Sequence, residues 1–141
     1  MSRIYWDTML FVYWLEDHPA YGNRVAQILS RMQARGDTLY TSAFTIGEIL
    51  VGPYKEGDNE TAERIQAVFQ SPEISVLPFT ADVADHYGRI RALLGVSPAD
   101  AVHLATAAEA DIDLFLTNDN YLIGKIVPGI KFIAGLQTDL F

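Results

Sequence analysis

Cysteine is absent from all 141 residues. That excludes disulfide frameworks, structural zinc held on thiolates and catalysis by a thiol nucleophile, and it suits a reducing cytoplasm. Long apolar runs are missing as well, since no stretch approaches the ~20 residues that a membrane-spanning helix needs. The opening MSRIYWDTMLFVYWLEDHP carries an apolar run, but Asp7 interrupts it and no small-residue cleavage site follows, so it does not read as a secretory signal. A soluble, cytoplasmic protein with no membrane partner is expected. Positive charge is scarce: 10 Lys plus Arg stand against 18 Asp plus Glu, a formal net charge of -8. Affinity for nucleic acid or anionic membranes grows with the number of phosphates that basic residues neutralise. Binding of a polyanion would therefore require a local patch, a bound cation or a basic protein partner.

What the chain does have is apolar substance. Half of its residues are hydrophobic, enough at this length for one full core but not for two, so residues 1–141 read as a single domain. Periodicity divides it into alternating elements. RIYW (3–6) is a short apolar strand ending at Asp7, and Thr8 to Leu15 is helical up to the DHP break. Tyr21 to Arg35 has helical spacing through Val25, Ile28, Leu29 and Met32 and stops at Gly36. TLYT (38–41) is a second strand, and Ser42 caps a helix from about Ala43 to Val51 that Gly52 and Pro53 should end. Asn59 to Gln70 is amphipathic and helical, ISVLP (74–78) is a strand, Thr80 to Leu94 is helical, and Ser97 opens another helix. LFLT (114–117) and IKFI (130–133) supply the last strands. Strands separated by helices imply crossover connections, hence an α/β fold in which a mostly parallel sheet of four to five strands lies between two helical layers.

In an open parallel sheet the ligand site lies beyond the carboxyl ends of the strands, where helix N-termini also point. Asp7 and Asp119 follow strands directly. Asp100 stands in the first turn of the helix opened by Ser97, and Glu48 lies two turns inside its helix, in the apolar run TIGEILVG. Taken singly, Asp100 is ordinary helix N-terminal chemistry, with Ser97 as cap and Pro98 in the first position, and Asp119 is an ordinary turn residue. Asp7 is different, because Ile4, Tyr5 and Trp6 precede it and another apolar run follows, where an unpaired carboxylate is costly. Glu48 is different too: Phe44, Thr45, Val51 and Gly52, its helical neighbours, include no cation, so any ion-pair partner must come from elsewhere in the chain. Carboxylates gathered without basic residues take up protons unless a cation joins them. Hard oxygen ligands of this kind suit Mg²⁺ or Mn²⁺, and the chemistry that uses them is phosphoryl transfer.

The four acids sit in four short motifs: Asp7-Thr8, Thr45-Ile-Gly-Glu48, Pro98-Ala99-Asp100-Ala101 running on through His103, Leu104, Ala105 and Ala107, and Thr117-Asn118-Asp119. In this order they resemble the PIN-domain nucleases, and the size and single-domain layout resemble VapC-type ribonuclease toxins of toxin-antitoxin pairs. The resemblance runs from residue 4 to about 133. It implies a sheet ordered 3-2-1-4-5 and a site where Asp7, Glu48, Asp100 and Asp119 bind one or two Mg²⁺ or Mn²⁺ ions that activate water against RNA. It implies that Thr8, Thr117 and Asn118 orient those ligands. It also implies a homodimer silenced by an antitoxin whose C-terminal segment covers the site. The chain departs from the commonest first motif at Met9 and Leu10, where small or polar residues often follow.

Other residues admit two readings. His103 lies one helical turn from Asp100, but no second histidine stands at a metal-ligand spacing, and a structural role is the favoured one. Arg89 and Arg91 either touch RNA phosphates or, the preferred reading, lie along a solvated helix face. Tyr5, Trp6, Phe11, Tyr13 and Trp14 read first as core or dimer surface and second as base-stacking rings. A non-toxin PIN ribonuclease of RNA processing remains open. An aspartate-based phosphotransfer protein would also place carboxylates and Mg²⁺ beyond the strands, but it wants a second Asp two residues after the first, and Met9 stands there.

Overall fold

The computed structural model describes residues 1–139. Five strands alternate with helices: β1 (Arg3–Trp6), α1 (Thr8–Leu15), α2 (Gly22–Arg35), β2 (Thr38–Ser42), α3 (Ala43–Lys55), α4 (Asn59–Phe69), β3 (Ile74–Leu77), α5 (Ala81–Leu94), α6 (Pro98–Glu109), β4 (Ile112–Thr117) and β5 (Ile130–Gly135). The sheet runs in the order β3-β2-β1-β4-β5, and every pairing is parallel. The expected three-layer α/β/α arrangement and strand order are both present.

β1 is the hinge between the two cores. Side chains alternate across a strand, so Ile4 and Trp6 face one side and Tyr5 the other, all three fully buried. On one side Trp6 packs with Leu10, Phe11, Ile28 and Leu116 beneath α1 and α2. On the other, Tyr5 packs with Leu104, Ala105, Phe115 and Ile133 beneath α5 and α6, and its ring stacks on Phe115 at 5.0 Å and 8°. The crowd of aromatic residues at the N-terminus is thus core: Phe11 and Tyr13 are buried with Tyr5 and Trp6, and Trp14 is partly buried against them.

Helix starts follow the capping residues. Ser42 accepts from the Phe44 amide, and Ser97 accepts from the Asp100 amide, which aims the N-termini of α3 and α6 at fixed points. The end of α3 differs from the sequence expectation. Pro53 lies inside the helix, which continues to Lys55. Proline removes the hydrogen bond to the carbonyl four residues back but leaves its own carbonyl free to accept, and the Pro53 carbonyl takes the Asp58 amide while that of Gly52 takes Glu56. β4 also begins two residues earlier than expected, at Ile112.

The turn into β5 rests on Gly129. Its φ is +97°, and a Cβ there would stand 2.5 Å from the Ala108 carbonyl oxygen at the end of α6. Gly129→Ala is expected to destabilise the fold by more than about 1 kcal/mol, a fall of a few degrees in Tm. A thermal melt of the purified variant checks this, and an unchanged melting temperature would contradict the close packing of α6 on that turn.

Candidate active site

Asp7 ends β1 and precedes α1, so it stands at the carboxyl edge of the central strand. Its amide bonds the Leu116 carbonyl of β4, which extends the ladder by one residue and pins the backbone. The side chain is only 9% exposed. Oδ2 accepts from the Thr117 hydroxyl at 2.6 Å, whereas Oδ1 is buried with no hydrogen-bond partner. Burial raises the Asp7 pKa above the usual carboxylate range, against the opposing effects of the Thr117 hydroxyl, His103 and the Leu10 and Met9 amides at the start of α1. A half-satisfied buried carboxylate is costly.

Glu48 reaches the same edge from α3. Its partner is His103 of α6, whose Nε2 lies 2.9 Å from Oε1; the Thr8 hydroxyl also donates to Oε1. Thr8 Oγ1 lies 3.0 Å from the same imidazole nitrogen, and the other, Nδ1, lies 2.8 Å from the Tyr5 hydroxyl. A chain of contacts thus runs from the core through Tyr5 and His103 to Glu48. Glu48 side-chain exposure is 31% against 5% for His103, so the acid faces solvent and the imidazole backs it. Burial works against ionisation of Glu48, but the hydrogen bonds from His103 and Thr8 outweigh it and hold its pKa below the usual range. His103 therefore fills two roles at once, anchored in the core and oriented on an acid of the site. Its spacing of one turn from Asp100 could have put His103 at the site, but nothing local in the sequence pairs it with Glu48.

Asp100 occupies the third position of α6. Burial, first, and then the charges of Asp119 and Glu48 raise its pKa, while Ser97 and His103 lower it. Asp100, Asp119 and Glu48 thus share one field. Asp119 follows β4, where its amide bonds Thr117 Oγ1 at 3.0 Å and its carboxylate accepts from the Tyr121 amide at 2.9 Å. Thr117 consequently holds both Asp7 and the Asp119 backbone. Asn118 has a different job from the one expected of it. Its side-chain amide donates to the Tyr13 hydroxyl at 3.1 Å, tying the loop after β4 to α1 rather than touching an acid. Arg89 pairs with Asp85 four residues earlier on an exposed face of α5, as the solvated reading of that helix anticipated.

The donor set is all oxygen, carries an unpartnered buried carboxylate oxygen, and has mutually repelling acids. That combination suits a hard divalent cation. Among the described residues no three His, Asp or Glu side chains stand together closely enough to hold an ion unaided. An ion here would rest on fewer protein ligands and keep water, as Mg²⁺ does when bound through one or two carboxylates.

A sequence profile of the PIN domain matches residues 4–124. The chain belongs to the PIN domain family. That is a family of nucleases. PIN-fold chains of toxin-antitoxin complexes share the architecture: VapBC2 of Rickettsia felis, bound to a promoter DNA fragment, is 20% identical with a TM-score of 0.75 over 94% of this chain and 98% of that one. A toxin-antitoxin complex of Klebsiella pneumoniae is 20% identical, TM-score 0.69, over 90% and 94%. VapC20 of Mycobacterium tuberculosis, a toxin that cleaves the sarcin-ricin loop, is 18% identical, TM-score 0.66, over 84% and 92%. No curated protein matches the sequence.

The raised pKa of Asp100 fixes the sign of a pH effect. A carboxyl whose folded pKa exceeds its unfolded value weakens the metal-free fold as pH rises from about 4, the unfolded value, through the folded one. The depressed Glu48 works oppositely, losing its stabilising contribution as pH falls. Asp100→Asn keeps a polar side chain at the helix N-terminus but removes the charge. In chelator, its Tm relative to the parent chain should rise between pH 4 and pH 7 and lie no lower than the parent at pH 7. Melting curves at both pH values test this; a variant that melts lower at both would mark Asp100 as a helix cap only.

Proposed function

We propose that this PIN domain is a Mg²⁺- or Mn²⁺-dependent endoribonuclease, the toxin of a toxin-antitoxin pair. Two observations carry the reading: the buried, partnerless Oδ1 of Asp7 at the carboxyl edge of β1, and Asp100 under the charges of Asp119 and Glu48, with His103 acting on Asp7, Glu48 and Asp100 alike. In this reading Asp7, Glu48, Asp100 and Asp119 serve the metal, one or two of them bound to it directly and the others through the waters it keeps. When bound, such an ion lowers the pKa of a water and offsets charge on the leaving oxygen. The protein's own residues supply aim: Thr117 turns the Asp7 carboxylate, Thr8 and His103 turn Glu48, and Ser97 turns Asp100. Oriented ligands of this kind are worth 10–100-fold in affinity or activity. Attack on the phosphorus in line with the 3′-oxygen leaves a 5′-phosphate on the downstream product.

The toxin half of the reading draws on the fold shared with VapC chains and on an apolar groove beside Glu48. A cavity of about 470 Å³ between α1, α3 and α4 is lined by Val12, Leu15, Ile49, Ile65 and Val68, with Glu48 on its wall. An antitoxin segment seated there would carry a basic side chain toward the acids, where opposite charge is most strongly attracted. The homodimer and the cytoplasmic setting belong to the same reading. A PIN ribonuclease of ordinary RNA processing would use the same site without the partner. Phosphotransfer at Asp7 is disfavoured, because Met9 occupies the place of the second acid.

Purified protein should cleave single-stranded RNA with added Mn²⁺ or Mg²⁺ and not in chelator, yielding 5′-phosphate ends. Asp7→Asn should lower cleavage by ~100-fold or more, at least the upper end of what outer-sphere partners cost. Products ending in 2′,3′-cyclic phosphate would overturn the reading.

A further inference from the structure

Two exposed aromatic rings adjoin residues of the site, Phe44 beside His103 and Tyr121 two residues past Asp119. Phe44, in the first turn of α3, is 37% exposed and meets the His103 imidazole at 5.5 Å and 62° rather than stacking on it. Tyr121, two residues past Asp119, is 58% exposed. Its amide is held by the Asp119 carboxylate, and Lys125 Nζ lies 4.3 Å from its ring centroid. Solvent-exposed rings of this size give up apolar burial, and neither completes the core. Each is also fixed to the site: Phe44 through the histidine that orients Glu48, Tyr121 through Asp119 itself.

We propose that Phe44 and Tyr121 are stacking platforms for unpaired bases of the RNA near the cleaved phosphate, with Lys125 steadying an adjoining phosphate. The proposal rests on the ribonuclease reading above. Charge is what favours it. With a net charge of -8 and four acids at the centre of the site, the chain cannot hold RNA through many phosphate contacts, which is how most nonspecific affinity arises. Stacking is insensitive to the sign of the protein charge, since every base has a π-face. A cation seated against a tyrosine ring is likewise held in place for a phosphate without being drawn onto the carboxylates. Selection for single strands follows, because paired bases keep their faces inside a helix.

The test pairs cleavage kinetics with altered RNA. The probes are a single-stranded oligoribonucleotide that the parent chain cleaves in Mn²⁺, and the same oligonucleotide with abasic residues on both sides of the cleaved bond. Phe44→Ala and Tyr121→Ala should each raise KM about 5-fold or more, the range for loss of one stacked base, with the loss falling in KM rather than kcat. Phe132→Ala, which removes a 70% exposed ring of β5, should change nothing. The abasic RNA should cost the parent chain the same factor and the alanine variants little more. Parental KM in the alanine variants overturns the proposal. So does an equal penalty on both RNAs, which would mark the rings as structural, or a loss confined to binding of a protein partner. Absence of cleavage by the parent chain on any RNA would instead overturn the ribonuclease reading. Fluorescence anisotropy with the two oligonucleotides then decides stacking by itself: equal Kd for both overturns it.

Discussion

A buried carboxylate with one oxygen lacking a hydrogen-bond partner governs this molecule. Asp7 is placed by β1, the central strand, and the strand is immovable because its three apolar residues join both cores. The acid is thus carried to the sheet edge with little solvent, one hydrogen bond from Thr117, and an oxygen left over. Removing such a group from water costs several kcal/mol when no partner or counter-ion compensates. At the same rim Asp119 and Glu48 add negative charge to Asp100. The fold therefore keeps stability in reserve elsewhere, in its close-packed β1, Trp6, Phe11 and Phe115, and holds a strained electrostatic site at its rim. Sites of this kind exchange stability for function.

The polar residues around the acids work as a frame. Thr117 serves two acids of the site, one by its proton and one by its lone pair. His103 links the Tyr5 hydroxyl, inside the second core, to Glu48 at the edge, so the position of that acid depends on packing beneath α6. Such backing groups hold ligands in a fixed orientation before anything binds. The frame also explains the neighbouring residues: Thr41 bonds both the Trp6 carbonyl and Thr45, closing the start of α3 onto the end of β1.

Much of this was legible in the sequence because the signals were local. Alternating apolar strands and helices gave an α/β fold with strand ends at Asp7 and Asp119, and an acid following Ile4, Tyr5 and Trp6 stands out by the cost of burying it. Ser42 and Ser97 announced helix starts through capping chemistry that needs only neighbouring residues. The strand order came from the family likeness, since local periodicity cannot say which strand lies beside which. What stayed hidden was non-local. The missing partner of Glu48 is His103, 55 residues away, and no window of sequence brings α3 and α6 together. Asn118 was expected to orient a ligand because it resembles a flank of the family's fourth motif, and its side-chain amide reaches Tyr13 on α1. Pro53 was misread for the opposite reason: a local rule was applied where flanking carbonyls found other amides.

The proposed divalent-cation site at these acids is tested without any RNA by direct titration of the metal-free protein with Mn²⁺. Calorimetry in two buffers of different ionisation enthalpy, at a series of pH values upward from about 4, the ordinary carboxylate range, separates binding from proton transfer. Since Asp7 and Asp100 have raised pKa values, the account predicts saturable binding accompanied by proton release, weakened when Asp7 is changed to Asn. No saturable heat, or binding identical in the Asp7→Asn variant, would contradict it.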